Sequence, residues 1–233
     1  MREIVMDTET TGLSTEEGHR IVEIGGVELL NHVPTGRTFH EYVNPQRDMP
    51  KDAYDVHGIS EEFLADKPPF AEVGPRFLEF VGSATLVFHN ASFDMKFINA
   101  ELRWANLTTV PMNQVVDTLA IARKKFPGAN NSLDALCRRF SVDNSARTKH
   151  GALLDSEILA EVYLELIGGR QPDLVLSSHQ GKERSPDTAT HRPANARPKA
   201  LPPRLTDDER NAHAEFVKAL GPNSVWSSFD AAD

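Results

Sequence analysis

Two carboxylates stand two residues apart at the end of an apolar run, where Ile4-Val5-Met6 leads into Asp7-Thr8-Glu9-Thr10-Thr11-Gly12. Side chains alternate along an extended chain, so Asp7 and Glu9 face the same side. Neighbouring carboxylates repel, and a hard divalent cation is the natural partner that offsets them. Asp94 has Phe97, Ile98, Leu102 and Ala105 at i+3, i+4, i+8 and i+11, which puts an acid on the apolar stripe of a helix. Ser92 is the expected N-cap of that helix, with Asp94 in its first turn. Asp155 repeats the arrangement with Ile158, Leu159, Val162 and Leu166. Several acids aimed at one sheet edge carry a large uncompensated charge unless they share metal, so the set implies a two-ion site.

His150 precedes Asp155 by five positions, about 140° around a continuous helix, so it is expected on the loop before that helix. With an ordinary pKa near 6.5 its imidazole can take a proton from water at neutral pH. The set therefore offers a two-ion site with a proton acceptor beside it.

The elements that must carry these residues begin with three strands, around Ile4–Met6, Arg20–Leu30 and Arg37–Val43, close enough to form an antiparallel meander. Helical patterns then alternate with short apolar runs: a helix over Phe70–Val81, a strand at Thr85–Phe88 and a helix over Phe93–Ala105. A strand at Gln114–Val116 follows, with helices near Thr118–Phe126, Ser132–Phe140 and Asp155–Ile167. A meander followed by alternating strands and helices predicts an α/β fold with a mixed sheet flanked by helices. Cys137, alone of its kind, excludes an internal disulfide and a cysteine-based zinc site, and is read as a small buried side chain.

Residues 177–204 read as a flexible linker: between Ser177 and Ala200 the apolar residues are all alanines, broken by Pro186, Pro193 and Pro198. A capping box, Thr206 to Glu209, then opens a helix with His213, Phe216, Val217 and Leu220 on one stripe, stopped by Gly221-Pro222. So short a helix, on so long a tether, is expected to dock into another protein.

At 39% hydrophobic and 25% charged residues the composition is that of a globular chain rather than a disordered one. No apolar run approaches the roughly 18 residues of a membrane span, and Met1-Arg2-Glu3 does not begin a signal peptide, so the expected location is cytoplasmic. The net charge is −9; residues 171–233 hold eight basic and nine acidic side chains, leaving 17 against 25 in the first 170. A body at −8 is poorly suited to grip nucleic acid unaided, so bound metal and a partner protein are expected to compensate.

Three motifs in order, D-T-E-T-T-G at Asp7–Gly12, H-N-A-S-F-D at His89–Asp94 and H-G-A-L-L-D at His150–Asp155, resemble the histidine-bearing branch of the DEDDh exonuclease superfamily. Within it they are most similar to the epsilon-subunit family of bacterial DNA polymerase III. The stretches Gly18–Gly25, Val56–Ile59 and Asn131–Cys137 extend the likeness over residues 1–170. The resemblance implies an RNase H-like fold with a five-stranded sheet. It also implies 3′→5′ proofreading: removal of mispaired terminal nucleotides as nucleoside 5′-monophosphates. By the same likeness Asp7, Glu9, Asp94 and Asp155 would hold two Mg²⁺ or Mn²⁺ ions, Asp94 through water, and His150 would be the general base. Asp7, Glu9, Asp155, Asp52 and His57 would meet the substrate nucleotide, although the family often has Glu where this chain has Asp52.

Residues 171–176, Gln171-Pro172-Asp173-Leu174-Val175-Leu176, resemble a sliding-clamp-binding peptide through Gln171, Leu174 and Leu176, without the usual terminal aromatic. Residues 205–233, with Phe216, Val217, Leu220 and Trp226, would bind the polymerase alpha subunit, and a small accessory core subunit is a further expected partner. Two other readings stay open: an RNA-directed member of the superfamily, of oligoribonuclease or tRNA-trimming type, and a non-catalytic structural subunit of the polymerase. The tail speaks against the first and the intact acidic set against the second.

Overall fold

The computed structural model describes residues 1–147, 149–168 and 205–221. The expected clamp-binding peptide at 171–176, the linker at 177–204 and Trp226 lie outside the described residues. The chain divides into two units, Met1–Leu176 and Ser177–Asp233.

The first unit is built on five strands in the order β3-β2-β1-β4-β5. They are β1 (Arg2–Thr10), β2 (Ile21–Leu30), β3 (Val33–Tyr42), β4 (Thr85–Phe88) and β5 (Val115–Asp117). β1 pairs antiparallel with β2 and parallel with β4, β2 pairs antiparallel with β3, and β5 continues the parallel side. The predicted mixed sheet with its antiparallel meander is observed. Seven helices accompany it among the described residues of this unit: α1 (Lys51–His57), α2 (Glu61–Leu64), α3 (Phe70–Val81), α4 (Ala91–Trp104), α5 (Thr118–Lys125), α6 (Leu133–Phe140) and α7 (Ala152–Ile167).

Strand alternation sorts the core into two layers. Ile4 and Met6 of β1, Ile24 of β2 and Leu86 and Phe88 of β4 pack with Phe70, Val73 and Phe77 of α3 and with Phe97, Ile98 and Leu102 of α4. On the other face Val5, Leu29 and Val87 meet Leu159, Ala160, Tyr163 and Leu164 of α7. α5 and α6 are joined to α7 by a further cluster that includes Ala122, Leu136, the buried Cys137, Ile158 and Val162.

Several elements differ from the sequence reading: the first strand, read around Ile4–Met6, runs from Arg2 to Thr10 and carries Asp7 and Glu9, and α7 begins at Ala152 rather than Asp155. β3 starts at Val33 rather than Arg37, because Asn31 and His32 both take positive φ (50° and 64°) and close a two-residue hairpin. That conformation is the one hairpins prefer, but Asn-His is not the Asn-Gly or Asp-Gly pair that announces it. α4 begins at Ala91 and its N-cap is Asn90, at φ 72° and ψ 53°, not Ser92. The short, largely exposed α1 and α2 have no apolar stripe to betray them.

The second unit, by itself, contains α8 (Asp207–Ala219). Thr206 and Glu209 form the predicted reciprocal capping box, and Gly221 has the positive φ (83°) that ends such helices. Phe216 and Leu220 are exposed on it. No helix among the described residues is long and apolar enough to cross a membrane.

Candidate active site

The three parallel strands β1, β4 and β5 end on the same edge of the sheet, which is where open α/β sheets present their ligands. Val5 is the last residue of β1 in register with β4, opposite Val87, so Asp7 and Glu9 lie just beyond that pairing. Both follow Val5 in the alternation and share its face, the side of α7. Glu9 is buried opposite Glu23 of β2, and Asp7 is opposite Gly25.

α7 is brought onto this face at unusually short range. A Cβ on Gly25 would lie 2.2 Å from the backbone of Ala152 and Leu153, so glycine is required for the first turn of α7 to rest on β2. Buried Glu23 completes the join: its carboxylate accepts the Ala152 N–H at 3.1 Å and meets His40 Nε2 at 2.7 Å. It thereby supplies the acceptor that Gly151, an N-cap without a side chain, cannot offer. The first turn of α7 then sets Asp155 into the site, buried, and leaves half-exposed His150 on the preceding loop, as its spacing predicts.

α4 delivers Asp94 from the other layer. Arg20 makes a bidentate pair with buried Glu101 at 2.7 and 2.6 Å, and Glu101 also accepts the Ile21 N–H, fixing α4 against the start of β2. Asn90, in the left-handed region, turns the chain out of β4 into α4, its N–H donating to Asp117 at 3.1 Å. Thr8 Oγ1 then donates to Asp94 Oδ1 at 2.7 Å.

The result is a crowded acidic centre. Ligand atoms of Glu9, His150 and Asp155 all lie within 4.8 Å of one another. Asp7 and Asp94 are not part of that tight trio but are coupled to it by charge. Burial, reinforced by Asp94, Glu9 and Asp155, pushes Asp7 well above the usual carboxylate range. Burial and the charges of Asp155, Glu23 and Asp94 push Glu9 up to about 8. Burial raises Asp94 to about 7, against the lowering bonds it accepts from Thr8 and the backbone. Asp155 goes the other way: burial pushes it up, but the contacts of His150 and Arg147 outweigh burial and hold it below its ordinary value.

Arg147 and Thr8 are the site residues that the sequence did not reveal. Arg147 donates to both oxygens of Asp155 at 2.5 and 2.8 Å, to Asp134 of α6 at 3.0 Å and to His150 Nδ1 at 2.8 Å. Its one legible signal was a cation three residues before the histidine in a body otherwise short of positive charge.

Of the two further residues expected at the substrate, His57 is buried at the end of α1. Its Nδ1 accepts the Ile59 N–H at 3.0 Å, and Nε2 has no hydrogen-bond partner among the described residues. Burial lowers its pKa, so the neutral ring presents an N–H donor there. α1 is tied to the histidine loop through the His150 N–H to Val56 carbonyl bond at 3.3 Å. Asp52 is exposed in the first turn of α1, about 140° around the axis from His57, so the two do not share a face.

These residues suit a divalent cation on their own chemistry. Buried Glu9 Oε1 has no hydrogen-bond partner among the described residues, three carboxyls are pushed towards protonation by burial and by neighbouring carboxylates, and the donors are hard oxygens with one imidazole. A cleft of about 1110 Å³ between the β2–β3 hairpin and the later turns of α7 is lined by none of these residues. Volume alone points away from the chemistry here, and the clustered carboxylates are the better guide.

Comparison with known proteins shows the family and the fold. The profile of the exonuclease family matches residues 4–163. DNA polymerase III subunit epsilon of Rickettsia felis is 49% identical over 94% of this chain and 97% of its own length. The subunit of the same name from Escherichia coli K12 is 43% identical over 97% of each chain. Among solved structures, exonuclease X in complex with 5′-overhanging duplex DNA superposes with a TM-score of 0.56 at 30% identity, covering 71% of this chain and 90% of that one. The nuclease domain of the DEDDh-family exonuclease 3′hExo, bound to rAMP, does so at 0.63 and 20% identity over 71% and 91%, a likeness of fold.

Proposed function

This chain belongs to the exonuclease family, in the group of DNA polymerase III epsilon subunits, and from that premise we propose that Asp7, Glu9, Asp94, His150 and Asp155 are its hydrolytic centre. The chain is a proofreading 3′→5′ exonuclease; the roles of individual residues, the metal and the partners are the proposal. The observation that carries it is the meeting of Glu9, His150 and Asp155 within 4.8 Å, with Asp7 and Asp94 coupled to them by charge.

Asp7, Glu9, Asp94 and Asp155 would hold two divalent ions, Mg²⁺ or Mn²⁺. Bound there, such ions supply Lewis-acid activation of water and phosphodiester. The protein residues do the rest. His150 takes the proton of the attacking water at Nε2, its Nδ1 being engaged by the Arg147 guanidinium. Arg147 orients Asp155 and His150 together, and Thr8 orients Asp94. The N–H of His57 Nε2 meets the terminal nucleotide, with exposed Asp52 at the rim, and the product is a nucleoside 5′-monophosphate. α8, presenting Phe216, Val217 and Leu220, is the attachment to the polymerase alpha subunit, while residues 171–176 are a clamp contact and a small core subunit is a further partner.

Release of nucleotides from a mismatched DNA primer tests the centre. His150→Ala should lower kcat by about 10²- to 10⁴-fold, and Asp7→Ala should remove both hydrolysis and calorimetric binding of Mn²⁺. Full rate in either variant would remove these residues from the centre. Faster hydrolysis of short RNAs than of the mismatched primer would instead favour an RNA-directed role.

A further inference from the structure

The charge count hides a local reversal. Residues 118–140, which span α5 and α6, hold Arg123, Lys124, Lys125, Arg138 and Arg139 against Asp134 alone, in a body at −8. Helix-end stabilisation explains part of this, since three of the five close α5 and two close α6. Two of the five are also committed elsewhere: Lys125 donates to the Leu166 carbonyl, and Arg139 to Asn131 and the Asn130 carbonyl. Arg123 is exposed, and no hydrogen bond or ion pair engages it among the described residues.

Arg123 borders a cleft of about 710 Å³ whose walls also include His89, Leu119 and the turn Gly128–Ser132. That volume lies in the range of small-ligand sites. Its position matters more than its size. Val5 and Val87 are register partners on neighbouring parallel strands, so Asp7 and His89 each lie two residues beyond the same pair. Strands are spaced by about 4.8 Å, and α5, which lines the cleft with Leu119 and Arg123, packs its Ala122 with Ile158 and Val162 of α7, which puts the cleft on the α7 side of the sheet. The cleft therefore opens one strand's width from the carboxylates, on their face. The polar atoms beneath it are spent on structure: His89 Nδ1 meets Thr118 Oγ1 at 2.9 Å, and Asn131 donates to the Phe126 and Ala129 carbonyls. A rigid polar wall with one uncommitted cation suits an anion that arrives with a ligand.

We propose that this cleft is the subsite for the phosphate next to the scissile one, with Arg123 as its contact and the basic α5–α6 segment as the track for the strand behind it. The inference rests on the hydrolytic centre proposed above. It names a DNA-binding surface on the exonuclease body itself.

The test compares two substrates of full-length protein with Mn²⁺: a single-stranded oligonucleotide, and the p-nitrophenyl ester of thymidine 5′-monophosphate, which has no second nucleotide. Arg123→Ala should raise the ratio of oligonucleotide KM to ester KM by about tenfold, and the salt slope of oligonucleotide binding should fall by about 0.7. Arg123→Lys should recover part of both. A ratio and slope unchanged in Arg123→Ala would overturn the subsite. If the unaltered protein hydrolyses neither substrate, the centre itself is misassigned and the subsite falls with it.

Discussion

At the scale of single residues, the centre is a set of acids that the fold holds together against their mutual repulsion. The folded protein raises Glu9 from an ordinary 4.5 to about 8 and Asp94 from 3.8 to about 7, so between those values it holds more protons than the unfolded chain does. The sign follows: the contribution of these two groups to stability is intact below their ordinary values and is lost as pH rises through their raised ones. In chelator, the melting temperature should therefore fall between about pH 5 and about pH 8.5, and Mg²⁺ should recover it most at the upper end. A melting temperature that is flat across this window, or recovery that is equal at both ends, would contradict the assigned metal ligands. Asp7, Glu9, Asp94, His150 and Asp155 were all legible in the sequence, because each is a polar group on an apolar pattern or beside one. Arg147 was not, since a loop arginine has no periodicity and its partners become neighbours only on folding.

At the scale of elements, the placement of Asp155 depends on how tightly α7 sits on β2. Gly25 and Glu23 make that contact, one by leaving room and the other by accepting the Ala152 N–H. Gly25→Ala should cost about 1–3 kcal/mol in unfolding free energy and also lower kcat, because the displaced turn carries Asp155. Gly26→Ala is the control. Its Cβ would approach only the side chains of Met6 and Ile4, no nearer than 3.2 Å, and so should be milder in both measurements. Equal effects at the two glycines would show that the α7 contact is not what positions Asp155. The helices α3, α4 and α7 were readable because their apolar stripes repeat over several turns. α1 and α2 were missed because one or two turns leave too few positions to show a period.

At the scale of the whole molecule, the proposed roles divide between the acidic body and its tail. The sequence reading assigns the tail the task of bringing the body to DNA, and the α5–α6 segment adds a local grip to that picture. A protein ending at Leu176 should keep nucleotide release from a mismatched primer but fail to co-purify with the polymerase subunit. Undiminished co-purification would place the attachment on the body instead of on α8 and the segment after it.

The sequence by itself determined which residues could do the chemistry, which strands and long helices exist, and where the capping box opens α8. These are matters of residue type and of short-range period, which a linear chain displays directly. Only the tertiary structure decided that Asp7 and Asp155 share one face, that Gly25 must be a glycine, and that Arg147 clamps Asp155 and His150. Only it could show a cleft bordered by both His89 and Arg123, residues far apart in sequence. These depend on pairs far apart in sequence, Gly25 with Ala152 or Thr8 with Asp94, whose proximity is set by strand order and helix packing rather than by any local pattern.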